Sequence, residues 1–182
     1  MANVILSLKQ IEEIFQEITS RITGLESEKN VRLSWPTYGA PGWKIDEDIV
    51  FVKVLTVPDA YSQQREDVYY RDSLELIDSV QIESSYTRVH LAQWTFYGPN
   101  SYDLAEALKS GFYSPEIKEA LMAHSLFFIL DVQQPVRAPE LYNGQWWERV
   151  DFEAKFNEHV SNFSSVSSII EVDLRVQVKA DD

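Results

Sequence analysis

The sequence PELYNGQWWERVDFEAKFNE, residues 139–158, predicts the fold more directly than any other stretch. Its Asn143-Gly144 pair is a turn signal, and two tryptophans, Trp146 and Trp147, follow at once. Apolar and polar side chains then alternate strictly, as they do in a strand with one buried face. The stretch therefore predicts a half-buried β-strand that is entered through an aromatic turn. Nothing in it resembles a reaction centre.

The N-terminal part of the chain predicts an amphipathic helix. Apolar residues recur at helical spacing from Leu8 to Ile22, and Ser7 and Gln10 at the start of this stretch have the spacing of a capping box. Gly24 is a suitable residue to end the helix. We expect this helix to pack against a sheet.

Two shorter helices are predicted in the middle of the chain, after a break at residues 98–100. Ser101 is the expected N-cap of the first helix, and Gly111 is its expected end. Ser114 and Pro115 begin the second, since proline is favoured at the first helical position.

Strands are predicted in runs rather than in alternation with helices. They cover residues 31–35, 49–57, 68–70, 80–97, 126–132, 150–158 and 170–178. The run 49–57 is apolar enough to be covered on both faces, and 80–97 is either one strand or two halves bent by a bulge. We expect loops or polar turns at residues 37–44, 134–145 and 161–168. This order predicts an α+β fold in one domain, residues 1–182, with a mainly antiparallel sheet flanked by the N-terminal helix and the central helix pair.

Composition excludes several kinds of function. The chain of 182 residues has no cysteine and a net charge of −13, so we expect no thiol chemistry and no sequestering of nucleic acid. The N-terminus lacks the basic region of a signal peptide, and no apolar run is long enough for a membrane helix. The sequence contains neither a phosphate-binding glycine loop nor a nucleophile elbow.

The titratable residues do not suggest a catalytic site either. His90, His124 and His159 are too scattered for a metal site, and the first is expected beside tyrosine and arginine on a strand face, the last at a strand end. Asp151 and Glu153 share one strand face and are expected to be solvated. We therefore predict no enzyme activity, no metal and no cofactor.

The aromatic residues leave a choice open. Side chains of adjacent residues in extended chain alternate sides, so at least one of Trp146 and Trp147 should face away from the core unless loop packing buries both. The same choice is open for the loops that hold Tyr38, Trp43, Tyr61 and Tyr142, which could bind a partner or merely be packed.

The segment ELYNGQWWERVDFEAKFNE resembles the closing motif of the neck or tail terminators of long-tailed bacteriophages and prophages. Similar pieces occur in the same order across residues 31–158, namely VRLSWPTYGAPGWK, EDIVFVKV, DAYSQQRED and HLAQWTFYGPNSYDLAEAL. The combination of YGPNSYD with a later PELYNGQWWERVD is unusual. The first helix and the last strand match only in type.

This resemblance implies a structural virion protein in the tail or neck, assembled in the host cytoplasm. It implies a homo-hexameric ring that caps the tail tube, contacts the sheath in a contractile tail, and joins the tail to the head-side connector. DNA would pass through the ring without specific binding, and no membrane is involved. The alternatives are a head-side stopper or a tail tube protein, though no clear barrel-closing hairpin is visible, and, as a third class, an enzyme of unknown type.

We expect the contacts with partners to lie in three segments, residues 59–67, 98–101 and 137–147. Arg137 and Arg149 are candidates for inter-subunit ion pairs. The candidate interface residues are Asp59, Tyr61, Arg65, Asp67, Pro99, Asn100, Arg137, Tyr142, Trp146, Trp147 and Arg149.

Overall fold

The computed structural model describes residues 5–34, 42–70 and 79–167. The elements are α1 (Leu8–Thr23), β1 (Val31–Leu33), β2 (Ile49–Val57), a 3₁₀ turn (Ala60–Gln63), β3 (Glu66–Tyr70), β4 (Ser79–Tyr97), α2 (Ser101–Gly111), α3 (Pro115–Met122), β5 (Leu126–Phe128), β6 (Val136–Arg137), β7 (Glu140–Tyr142), β8 (Gln145–Trp147) and β9 (Arg149–Ser167). The strand predicted at 170–178, most of the loop at 37–44, and the aromatic residues Trp35 and Tyr38 lie outside the described ranges.

The main sheet is mixed but mostly antiparallel. Its strands follow the order β1-β2-β4-β9-β5, with β3 paired to the first half of β4 and β6 paired to the start of β9. The pair β1–β2 is parallel, and all other strand pairs of this sheet within the described ranges are antiparallel. The α+β class predicted from the order of elements is confirmed.

The two longest strands, β4 and β9, pair with each other over 19 residues each. The segment 80–97 is thus one strand, and β9 runs well past its predicted end. The polar turn predicted at 161–168 was wrong up to Ser167, and His159 lies inside the strand rather than at its end. The cause is tertiary, because β4 offers a pairing partner to every residue of this serine-rich stretch, from Thr87 opposite His159 to Ser79 opposite Ser167.

The core lies under the helices, on one face of one half of the sheet. On β2, Val50, Val52 and Val54 are buried while Phe51 on the other face is only half-buried. The prediction that this strand is covered on both faces was wrong, because the helices contact the sheet from one side. At the centre, buried Trp94 stacks on Phe152 with ring centroids 5.5 Å apart.

Helix α1 has the predicted ends. The capping box of Ser7 and Gln10 is formed, and Gly24 takes the left-handed conformation with φ of +74°. Its buried face carries Ile11 and Phe15 into the core. Because the capping pattern and the apolar stripe are local in sequence, this helix could be predicted without knowledge of the fold.

The cap of α2 was predicted one residue too late. Asn100 is the N-cap, and Ser101 is the buried first residue of the helix. The side chain of Asp48 accepts hydrogen bonds from the backbone N–H and from Nδ2 of Asn100, at 3.0 and 2.8 Å. Helix α3 begins as predicted, with the Ser114 side chain accepting from the backbone N–H of Ile117.

Two further boundaries differ from the prediction. The strand predicted over 126–132 stops at Phe128, because β5 pairs with only three residues of β9 before the chain leaves the sheet. The loop predicted over 134–145 instead contains β6 and most of a small two-stranded sheet, β7–β8. Neither feature has a long enough run of side chains to give a periodic signal.

Candidate assembly surfaces

The strands β7 and β8 form a hairpin around the turn predicted from sequence. Asn143 and Gly144 both have positive φ, +49° and +78°, as a two-residue turn of type I′ requires. The pairing register places Glu140 opposite Trp147 and Leu141 opposite Trp146. Because side chains alternate across a strand, the two tryptophans point to opposite faces of the hairpin.

This alternation answers the question of which tryptophan faces outward. Trp146 is 68% exposed, and its cross-strand neighbour Leu141 is 59% exposed on the same face. Trp147 is half-buried, and its ring lies 6.1 Å from that of Trp43 and 6.0 Å from that of Tyr142. The possibility that packing buries both tryptophans is therefore excluded for this chain.

An aromatic pocket lies on the inner face of the hairpin. Its volume is about 360 Å³ and it is lined by Gly42, Trp43, Tyr97, Glu140, Tyr142 and Trp147. The Trp43 ring also packs on Phe51 and on Tyr97, with centroids 5.1 and 5.5 Å apart. The pocket joins three parts of the chain that are distant in sequence, which explains why no local pattern predicts it.

A polar network holds the hairpin to the end of the main sheet. Arg149 donates to Asp151 and to Glu140, at 3.0 Å each, and the Tyr97 hydroxyl donates to Glu140 at 3.0 Å. Burial, followed by the hydrogen bond to Glu140, raises the pKa of Tyr97 to about 12, and the hydrogen bond to Asp151 raises the pKa of Arg149. Asp151 was predicted to be solvated, but it is half-buried and engaged with Arg149.

Two of the three predicted contact segments meet at this end of the molecule. The backbone N–H of Gly98 bonds to the carbonyl of Glu148, which places the turn that contains Pro99 and Asn100, both exposed, beside the hairpin. Arg137 is exposed, and its Nη2 donates to both carboxylate oxygens of Glu148, at 2.9 and 3.0 Å.

Both arginines that were candidates for inter-subunit ion pairs therefore have partners within the chain. Arg137 binds Glu148, and Arg149 binds Glu140 and Asp151. Contacts of either arginine with another subunit stay a prediction, and any such contact would extend a pair that already exists.

The third predicted segment, residues 59–67, lies far from the hairpin. It includes the 3₁₀ turn and the start of β3, which pairs with β4 at Ser85. With a rise of about 3.4 Å per residue, Ser85 and Tyr97 are about 40 Å apart along β4. The candidate residues thus form two groups, one at the end of β4 and one beside residues 84–86 of the same strand.

Side chains of this second group are packed along the strand pair. The guanidinium of Arg65 lies 3.4 Å from the ring centroid of Tyr86, and Asp67 accepts a hydrogen bond from the hydroxyl of Ser84. Asp59 accepts at its backbone carbonyl from Ser62, whereas the side chain of Tyr61 is outside what the structure describes.

Around this group the sheet extends beyond the core as a three-stranded ribbon. We define the ribbon as β3, residues 79–88 of β4 and residues 159–167 of β9. Within the described ranges, no strand pairs with the outer edge of β3, and none with β9 beyond the residues that pair with β5. Tyr69, 64% exposed, and Val166 lie exposed on it. Open strand edges with exposed apolar side chains are sites where further chains pair.

A buried charged cluster lies where the ribbon joins the core. The carboxylate of Glu158 is within 2.7 Å of His90 Nε2, accepts from Arg88 at 2.8 Å, and accepts from the backbone N–H of Leu6 at 2.9 Å. His90 also contacts the hydroxyl of Thr56. Sequence reasoning missed this cluster, although the alternation along 150–158 does place position 158 on the buried side.

No group of three or more histidines and carboxylates in the described part of the chain could hold a metal ion, and no helix among those residues is long and apolar enough to cross a membrane. What the structure offers instead is two exposed surfaces on a stiff sheet, which is the arrangement of a structural assembly subunit.

Comparison with families of known proteins agrees with this class. Residues 9–181 match the model of the phage neck terminator protein family, and the chain belongs to that family. The family is one of structural proteins rather than enzymes, and membership places the chain in the tail or neck of the virion. No curated protein matches the chain.

Proposed function

We propose that this chain is the subunit of a ring, a hexamer, that ends the phage tail and joins it to the head-side connector. The family membership supports the location in the neck. The observation that carries the ring is the ribbon, whose two outer strands, β3 and β9, have edges that no other strand of the described ranges covers. A ring needs such a heterologous pair of surfaces, because each copy uses one surface on its left and a different one on its right.

The geometry of the ribbon supports a simple joint between neighbouring subunits. Both β3 and β9 are antiparallel to β4, so they run in the same direction. The outer edge of β9 in one copy would pair with β3 of the next copy as parallel strands. Such a joint would satisfy the backbone groups of both edges and would cover Tyr69 and Val166.

The hairpin end of the molecule would then contact the proteins above or below the ring. Leu141 and Trp146 form an exposed apolar pair there, about 40 Å from the ribbon group along β4. A tryptophan anchor of this kind is enriched at protein interfaces. The proposed partners are the tail tube protein, the sheath protein in a contractile tail, and the head-side stopper.

The charge of the chain supports passage of DNA through the ring without binding. Its net charge of −13 would repel the phosphates of the duplex. An acidic lumen would let the genome slide, and a lumen lined with basic residues in the assembled ring would contradict this part of the proposal.

The ribbon also favours a second candidate, a tail tube protein, because tubes are built from stacked rings of sheet-rich subunits. The two functions differ in what the purified chain does by itself. A terminator stops at a single ring, whereas a tube protein continues to polymerise into stacks.

A direct test is to image the purified chain by mass photometry and negative-stain microscopy, with and without tail tubes from the same phage. We expect single rings or caps on tube ends. A chain that stays monomeric and never binds tube ends would refute the terminator function, and long polymers would favour the tube protein.

A single substitution tests the ribbon joint between neighbouring subunits. Tyr69→Lys places a charge on the exposed ribbon strand, and lysine on an edge strand opposes pairing with another chain. We expect rings to be lost while the circular dichroism spectrum and thermal midpoint of the monomer stay unchanged. Tyr102→Lys, on the exposed surface of α2, is the matched control and should still form rings. Rings formed equally by both variants would show that the ribbon is not the joint.

Trp146→Ala tests the hairpin surface. The side chain is exposed in the single chain, so its removal should leave the thermal midpoint unchanged. If it anchors a partner, binding to tube ends or to the head-side connector should weaken about 30-fold, the loss expected for a tryptophan hot spot. Met122, at the end of α3, is also exposed, and Met122→Ala should bind normally as the matched control. Wild-type binding by Trp146→Ala would remove the hairpin from the contact surface.

A further inference from the structure

Two indole rings that line the aromatic pocket carry N–H donors for which the described residues provide no acceptor. Nε1 of Trp43 and Nε1 of Trp147 are both buried, and neither has an acceptor within the described structure. The core tryptophan Trp94 behaves in the usual way, since its Nε1 donates to the hydroxyl of Thr19 at 2.8 Å. A buried donor without an acceptor is unfavourable, so two of them in one pocket call for a physical reason.

The pocket has the size and lining of a binding site. Its volume of about 360 Å³ lies in the range of sites that bind small ligands or peptide side chains. Four aromatic rings, those of Trp43, Tyr97, Tyr142 and Trp147, form its walls. The carboxylate of Glu140 is already engaged by Arg149 and by the Tyr97 hydroxyl, so it does not satisfy the indoles.

We propose that this pocket binds a proline-bearing extended segment of another virion protein. A proline ring would pack between the indole and phenol rings, and a backbone carbonyl beside it would accept a hydrogen bond from an indole N–H once the rings turn slightly outward. Segments in the polyproline II conformation suit this site because their carbonyls have no internal partners and their backbone loses little entropy on binding. Aromatic-lined grooves recognise such segments in other proteins.

A positively charged side chain is the other ligand that aromatic rings attract, but the surroundings disfavour it. Arg32 already lies 5.9 Å from the ring centroid of Trp43, and Arg149 neutralises Glu140. Unused N–H donors also carry partial positive charge and would face the cation. The neutral carbonyl of a proline-bearing segment fits these electrostatics better than lysine or arginine does.

This proposal rests on the proposed function in one respect, namely that the bound segment belongs to a neighbouring virion protein. The chemistry of the pocket can be tested without any ring. A chain that never forms rings but binds proline peptides would separate the two proposals, as would a ring-forming chain whose pocket binds none.

The test uses the full chain labelled with ¹⁵N at its five tryptophans, so that each indole N–H gives its own NMR signal. Signals are assigned with single Trp→Phe variants. The probes are a polyproline decapeptide and a decapeptide in which lysine and glycine replace proline. We expect the polyproline peptide to shift the Trp43 and Trp147 signals, with saturation below about 5 mM, the weak end of specific binding. No shift, or a shift with the lysine peptide alone, would overturn the proposal.

Phenylalanine variants separate binding from stability. Trp147→Phe removes an unused donor and should leave the thermal midpoint unchanged or raised, while peptide affinity falls about tenfold, the loss of one hydrogen bond. Trp94→Phe is the matched control, since it breaks a buried hydrogen bond outside the pocket and should lower the midpoint without changing the affinity. Equal affinity in Trp147→Phe and wild type, or a fall in midpoint as large as that of Trp94→Phe, would mean that Trp147 is only a packing residue.

Discussion

Replacing Glu158 by Gln is expected to lower the free energy of unfolding by about 3 kcal/mol, which is the cost of removing one partner from a buried ion pair. Glu158 is 1% exposed and sits between Arg88 and His90. The amide keeps the shape of the side chain but not its charge, so the guanidinium of Arg88 would lose its counter-ion. The same carboxylate also accepts from the backbone N–H of Leu6, which ties the start of the chain to the sheet.

Chemical denaturation followed by tryptophan fluorescence measures this change. The matched control is Glu153→Gln on the same strand, where a half-buried carboxylate accepts from Gln93 at 3.3 Å. The free energy of unfolding of Glu153→Gln should fall by less than about 1 kcal/mol, as expected for a partly solvated pair. If both variants lost equally little, the buried cluster would contribute nothing special to stability.

The same carboxylate should make stability fall in acid. Burial favours the protonated form of Glu158, but hydrogen bonds from His90, the Leu6 N–H and Arg88 outweigh burial and lower its pKa below 4.5. A group whose pKa is lowered on folding contributes stability that is complete above its unfolded pKa and is lost as pH falls through its folded pKa. Denaturation curves should therefore show a loss below about pH 4.5 that is smaller in Glu158→Gln. Parallel pH profiles for the two proteins would assign the acid sensitivity to other carboxylates.

Replacing Gly98 by Ala is the second change with a large expected effect, a loss of about 2–6 kcal/mol in the free energy of unfolding. Gly98 has φ of +110°, where side chains other than hydrogen cost about 1–3 kcal/mol. A Cβ there would also lie 2.6 Å from the carbonyl oxygen of Glu47 and 2.8 Å from Cα of Asp48, and such overpacking costs about 1–3 kcal/mol more. Because the clash is with backbone, no side-chain rotation relieves it.

Gly24→Ala is the matched control for Gly98→Ala. Gly24 also has positive φ, +74°, but nothing lies within 4 Å of a Cβ built on it. The free energy of unfolding of Gly24→Ala should fall only by the conformational cost of positive φ, about 1–2 kcal/mol. Thermal unfolding of the two variants separates the cost of positive φ from the cost of the backbone clash. Equal losses of stability in both would show that the turn beside Asp48 relaxes without cost. The clash in Gly98→Ala should also displace Asn100, which hydrogen-bonds to Asp48, and with it the N-terminus of α2.

Several elements could be predicted because their causes are local. The capping box of Ser7 and Gln10, the stop at Gly24 and the Asn143-Gly144 turn each depend on residues within a few positions. The alternation from 150 onward correctly predicted which side chains of β9 enter the core. The resemblance to phage neck terminators, stated for residues 31–158, was confirmed by the family match, which covers residues 9–181.

Other elements depend on partners that are distant in sequence. The strand β9 continues through a serine-rich stretch only because β4 pairs with it, and the ribbon that results has no periodic signal strong enough to be recognised. Glu158 is separated by 68 residues from His90 and by 152 from Leu6, so its burial as a charged group could not be predicted. The ion pairs Arg137–Glu148 and Arg149–Glu140 span only 11 and 9 residues, but they form across the β7–β8 hairpin, for which the sequence predicted a loop.

The sequence by itself determined the fold class, the family and the presence of two adjacent tryptophans in an aromatic turn. Only the tertiary structure decided that Trp147 turns inward to Trp43 while Trp146 faces solvent. The physical reason is that alternation requires adjacent side chains to lie on opposite faces of a strand, but it does not say which face is covered. That depends on where the hairpin packs, and the hairpin is held by Tyr97 and Arg149 through contacts that no local pattern contains.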